Sequence, residues 1–240
     1  MKRRKIWLDV AAGGLLAAAL VTAVTVPPEQ TQGDLARIMF VHVPAAWLAY
    51  LAFGITLVGS MGYLITRRMK WDRLAGASAE IGVCFNGLTI ALGMIWGKST
   101  WGVWWTWDAR LVLTAIMFFV YLGYLGLRRS IPDPVARARR SAWLGVLGAV
   151  QIPIVHFSVI WWRGLHQAPS ILRPGGIQMD PPFRAALFLS LAAFTLAYAA
   201  LMRRHMENAV AEEALAARLA SEEIEVAGAA VTPPRFEEET

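Results

Sequence analysis

Six apolar stretches, each close to bilayer-spanning length, constrain this chain more than any other feature. They run over residues 6–26, 45–66, 74–96, 110–127, 142–162 and 183–202. A helix rising 1.5 Å per residue needs about 20 apolar residues to cross the hydrocarbon core. Backbone groups left unpaired in lipid are costly, so continuous runs of this length are helices. Barrel strands would instead alternate polar and apolar residues. The fold class read from the sequence is therefore all-α: a polytopic membrane protein with six transmembrane helices. Composition agrees, because 57% of the 240 residues are hydrophobic and the 17% that are charged gather between the runs. The sequence divides into a membrane domain over 1–204 and an acidic tail over 205–240, where nine of the seventeen acidic residues lie. The start of the tail is expected to be helical and its end, around Thr232–Arg235, unstructured.

The placement of charge gives orientation. Of the 23 Lys and Arg residues, 17 fall at one set of ends and loops, from Lys2–Lys5 through Arg67, Arg68, Arg128, Arg129 and Arg137 to Arg203 and Arg204. The other six are Arg37, Lys98, Arg110, Arg163, Arg173 and Arg184. The positive-inside rule puts both termini in the cytoplasm and the loops near 27–44, 97–109 and 163–182 outside. The net charge of +6 is thus a topology signal rather than a nucleic-acid footprint. The basic Lys2–Lys5 stretch and its apolar run resemble a signal peptide. No Ala-x-Ala site precedes Pro27, however, and the run reads as a retained first helix. A single cysteine, Cys84, excludes an intramolecular disulfide and is expected to be a small buried hydrophobe.

Tryptophan follows the opposite distribution. Trp47, Trp96, Trp101, Trp104, Trp105, Trp107, Trp161 and Trp162 fall on the outward side; only Trp7, Trp71 and Trp143 fall inward. An ordinary aromatic belt occupies both interfaces. Five of the outward indoles lie within twelve residues, in the segment 96–110. On a helix, Trp101, Trp104 and Trp105 share one face, with Trp107 and Asp108 extending it. Gly97 and Gly102 allow a turn or the close approach of a flat ligand. Such a shelf suits a large planar apolar molecule with polar edges, although an interfacial anchor also favours Trp.

Four histidines are present. His42 and His166 lie at matched depth on the outward side, flanking the indoles. Two readings fit them: polar residues among headgroups, or a pair of imidazoles able to fill both axial positions of a haem iron. His156, inside the fifth run, is expected to be a buried polar group bonded to a neighbouring helix. His205, among cytoplasmic basic residues, is expected to be solvated. Lys98, Arg110, Arg163, Arg173 and Arg184 are the cations available to a carboxylate-bearing ligand or to lipid phosphates. Glu80 and Asn86 read as helix–helix hydrogen-bonding groups. There is no Walker A sequence, no nucleophile–His–Asp signature and no HExxH, so the chain reads as a binder rather than an enzyme.

The segment Trp101-Gly102-Val103-Trp104-Trp105-Thr106-Trp107-Asp108 resembles the WGxxWxWD signature of the haem-handling WWD family of cytochrome c biogenesis. The short six-span form is similar to the CcmC branch, as are His42-Val43-Pro44, Trp96-Gly97-Lys98, Pro153-Ile154-Val155-His156 and Leu165-His166-Gln167. The resemblance covers about residues 37–203. It implies non-covalent haem b at the periplasmic face of the bacterial inner membrane, with His42 and His166 as axial iron ligands. Trp96, Gly97, Trp101, Gly102, Trp104, Trp105, Trp107 and Asp108 would line the porphyrin. It also implies transfer of haem to the chaperone CcmE, within an ABC-type complex with CcmA, CcmB and CcmD. Two other activities are compatible with the motif. One is a haem lyase of the CcmF or CcsA type, which is generally longer. The other is a haem-translocating transporter subunit, for which His156, Glu80 and Asn86 are the few intramembrane polar groups.

Overall fold

The computed structural model describes residues 2–162, 164–167 and 176–231. Seven α-helices account for most of them: α1 (Lys2–Thr25), α2 (Met39–Thr66), α3 (Met69–Trp101), α4 (Ala109–Ser130), α5 (Pro134–Ala149), α6 (Gln151–Trp161) and α7 (Pro181–Val231). A 3-10 helix, Asp34–Ile38, leads directly into α2. No strand occurs among the described residues. Six segments are long and apolar enough to cross a membrane, with α5 and α6 together forming the fifth.

The fifth span is broken at Val150 for a reason visible in the sequence. Pro153 offers no N–H to the preceding turn, and its ring crowds the carbonyl of Ala149. The span was expected to be continuous over 142–162; it is two helices in series. The second span also differs from expectation. Pro44 marks a start at residue 45, yet α2 begins at Met39. Phe40 is buried and packs against Phe183 of α7 at 5.7 Å between ring centroids. That packing outweighs the single backbone bond that Pro44 denies to the Phe40 carbonyl. His42 therefore rides on a helix instead of on the loop before it.

Small residues let the helices approach closely. A Cβ on Gly59 of α2 would lie 2.8 Å from the backbone of Trp71 and Ala75 on α3, and one on Gly82 would lie 2.6 Å from the Phe53 ring. Phe53 stacks on Tyr121 of α4 at 3.6 Å, inside a cluster that joins α2, α3, α4 and α6. A second cluster joins α1 and α7 to the start of α2. At the end of the bundle opposite the tryptophan segment, Arg128 and buried Asp72 form a two-pronged ion pair, with the Arg128 Nη2–Asp72 Oδ2 contact at 2.9 Å. Arg203 and Arg204 grip Asp9 of α1 at the same end.

The acidic region beyond residue 205 continues α7 without a break to Val231. His205 is tied to Glu80 of α3 at 3.0 Å, so it is paired rather than merely solvated. Arg73 of α3 binds Glu213 at 2.6 Å. Cys84 is exposed, contrary to the expectation of burial. Asn86 is buried and reaches the Thr114 carbonyl of α4 at 3.4 Å, the helix–helix role expected of it. The segment 232–235 lies outside the described residues.

Candidate functional site

Helix direction brings the end of α1, the starts of α2, α4 and α7, and the ends of α3 and α6 to one end of the bundle. The connections there are held together. Arg37 donates to the Val26 carbonyl at 2.9 Å, and the Trp96 indole Nε1 donates to Gln32 Oε1 at 2.7 Å.

The tryptophan segment is not one helix face. α3 stops at Trp101 because Gly102 takes a left-handed conformation, φ 77°, and its N–H bonds the Lys98 carbonyl. Lys98 Nζ in turn donates to the Gly102 carbonyl at 2.8 Å, so this cation is spent on closing the helix. Residues 102–108 form an irregular loop until Asp108 caps α4. The expected helical sharing of Trp101, Trp104 and Trp105 is therefore corrected: Trp101 ends a helix and the others ride on a loop. The physical cause is the glycine, whose positive φ strains any residue with a side chain. Gly97 is buried, and a Cβ there would come 3.1 Å from the Trp101 ring, so this glycine lets the indole lie flat on α3. Trp105 and Trp107 meet edge to face at 6.3 Å. Trp104 is 54% and Trp107 86% exposed, large values for indoles, and Trp161 and Trp162, at the end of α6, are exposed too.

His42 stands one turn into α2 with its ring edge-on to Trp96 at 5.8 Å. A Cβ on Gly93 would touch its Cε1 at 3.2 Å, so the imidazole fills the groove that this glycine leaves in α3. Its Nδ1 is buried and makes no hydrogen bond of standard geometry, although the Thr89 backbone oxygen lies near enough to act on the ring. His166 comes to the same end of the bundle in the segment after α6. The two imidazoles are near enough to feel each other's charge, and Arg110, at the start of α4, acts on both and on His156 as well. Among the described residues no carboxylate forms an ion pair with Arg110. Burial, and secondarily the Arg110 charge, hold the His166 imidazole below its ordinary pKa, against the opposing pull of the Gln167 carbonyl and Asp108.

Asp108 joins the two sequence features. Its Oδ1 accepts from the Arg110 N–H and its Oδ2 from the Leu165 N–H, each at 2.9 Å. Sequence reasoning placed Asp108 beside a ligand, and no signal in the spacing linked it to Leu165. Arg110 was one of five equivalent cations until folding set it among three histidines. Trp47, by contrast, donates to Thr195 at 3.1 Å, away from the loop. His156 is half-buried, edge-on to Tyr50 of α2 at 6.2 Å and to Phe157; these ring contacts stand where a helix–helix hydrogen bond was expected. Arg163 and Arg173 lie outside the described residues.

An orphaned imidazole nitrogen, a second imidazole from the segment after α6, a nearby cation and exposed indoles make a donor set that suits a planar metallo-ligand bearing carboxylates. The family model for CcmC, "Heme exporter protein C", matches residues 1–221. A protein of that name from Bradyrhizobium diazoefficiens is 40% identical over 204 residues, spanning 85% of this chain and 78% of its own. One from Paracoccus denitrificans is 33% identical over 217 residues, 90% of each chain. One from Escherichia coli K12 is 34% identical over 186 residues, 77% of this chain and 74% of its own. With six membrane-spanning helices and a family match over nearly its whole length, the chain is a multi-pass membrane protein belonging to the heme exporter protein C (CcmC) family.

Proposed function

We propose that this protein binds haem b non-covalently at the periplasmic face of the bacterial inner membrane and hands it to the haem chaperone CcmE for cytochrome c maturation. In this reading it works beside CcmA, CcmB and CcmD, and any ATP hydrolysis belongs to a partner subunit. The observation that carries the proposal is that His42, packed on α2 against Trp96 and Gly93, and His166, in the segment that Asp108 ties to the tryptophan loop, lie within electrostatic reach of each other and of Arg110. Bound haem supplies an iron that takes two axial imidazoles. The chain's part is to present both rings, offer Arg110 to a propionate, and seat the porphyrin edge on Trp101, Trp104, Trp105 and Trp107. Exposed indoles leave one side of the seat open, as a presenter requires and an enclosed store would not.

The test is the visible spectrum of purified protein loaded with ferric haem. His42→Ala and His166→Ala should each abolish the low-spin bis-imidazole signature. Spectra unchanged in both variants would remove the ligand assignment. Recovery of trapped haem with the chaperone supports the presenter; recovery with the apocytochrome instead would convert the reading to a lyase.

A further inference from the structure

The haem reading leaves Asp108 without a defined task. A carboxylate in a ligand-binding loop invites the view that it touches the ligand, but both of its oxygens are already committed to backbone N–H groups. Oδ1 caps α4 through Arg110 N, and Oδ2 crosses 57 positions of sequence to Leu165 N. Hydrogen bonds to an ionised acceptor are about twice as strong as neutral ones. The segment it grips is built for the grip: a Cβ on Gly164 would overlap Oδ2 itself. His166 follows one residue after the bonded amide.

We propose that Asp108 is a positioning residue: its carboxylate clamps the Gly164–Leu165 backbone onto the tryptophan loop and so fixes where His166 presents its imidazole. The same carboxylate starts α4 and thereby places Arg110. One side chain thus holds the second imidazole and the nearby cation in mutual register, and the closing aspartate of the tryptophan motif acts through His166 rather than on the ligand. This rests on the haem reading for its consequence, but the clamp itself is testable without haem.

Asp108→Ser separates the two bonds, since serine is a good N-cap but carries only one short-reaching oxygen. In haem-free protein, amide exchange at Leu165 should become about tenfold faster in Asp108→Ser, the scale of one lost charge-assisted bond. Exchange in α4 should be unchanged, and Trp107→Ala should leave Leu165 at the wild-type rate. Wild-type exchange at Leu165 in Asp108→Ser overturns the clamp whatever the haem spectra show. In haem-loaded protein, Asp108→Ser should lose the low-spin spectrum and recover it when free imidazole is added, as His166→Ala should. Loss that imidazole does not restore would mean that Asp108 contacts the ligand, and retention of the spectrum would mean that it does not position His166; either overturns the proposal. Gly164→Ala should reproduce the Asp108→Ser defect alone and add nothing to it in the double variant. Additive defects would show that the Gly164 methyl collides with something other than Asp108.

Discussion

At the scale of single residues, the site depends on which charges and rings share a small volume. The His166 imidazole lies outside the spans and is held below its ordinary pKa of 6.5, first by burial and then by Arg110. Between the folded and ordinary values the unfolded chain carries the extra proton, so stability falls as pH drops through that window. The folded ring meanwhile stays neutral, the form a metal requires. Removing the cation in Arg110→Gln should move the His166 titration, followed by NMR of haem-free protein, upward but not as far as 6.5, because the larger cause remains. A downward shift would contradict the placement of Arg110. The indoles offer a second test. Trp104→Ala with Trp105→Ala should weaken haem retention on a desalting column more than Trp7→Ala with Trp71→Ala, and equal losses would reduce the loop to a membrane anchor. His42 and His166 stood out as candidates in the sequence because imidazoles are few and both lie near indoles. The commitment of Asp108 to Leu165 was not, since a bond across 57 positions leaves no mark in local spacing.

At the scale of elements, the helices existed in the pattern but their ends did not. Composition located six apolar runs, whereas Gly102 and Pro153 decided how two of those runs stop and break. Gly102 turned an expected helical shelf into a helix end followed by a loop. Pro44, which argues for a helix start, was overridden by the packing of Phe40 on Phe183. Contact between elements depends on close approach at glycine. Gly59→Val should lower thermal stability in detergent by about 1–3 kcal/mol, the usual cost of overpacking, because the new side chain meets immobile backbone of α3. Gly54→Val on the same helix meets open space and should stay within about 0.5 kcal/mol of the parent. Equal melting of the two variants would mean that α2 and α3 do not meet through Gly59.

At the scale of the whole molecule, six antiparallel spans sort the connections into two sets. One end gathers ion pairs: Arg128–Asp72, Arg203–Asp9 and Arg73–Glu213. The other gathers the tryptophan segment, His42 and His166. The positive-inside rule predicts that the ion-paired end, where Lys and Arg are in excess, faces the cytoplasm. Alkaline phosphatase fused after Trp162 should therefore be active, and fusions after Arg129 or Arg204 inactive; the reverse pattern would turn the proposed haem seat to the wrong side of the membrane.

The amino-acid sequence by itself determined the class of fold, the number of spans and the residue types available for chemistry, because bilayer thickness and backbone hydrogen bonding leave long apolar runs one option. Only the tertiary structure decided that Arg110 acts on the histidines, that the motif tryptophans after Trp101 lie on a loop, and that Asp108 reaches Leu165. Those outcomes depend on contacts between segments far apart in the chain, whose energies have no local periodicity to betray them.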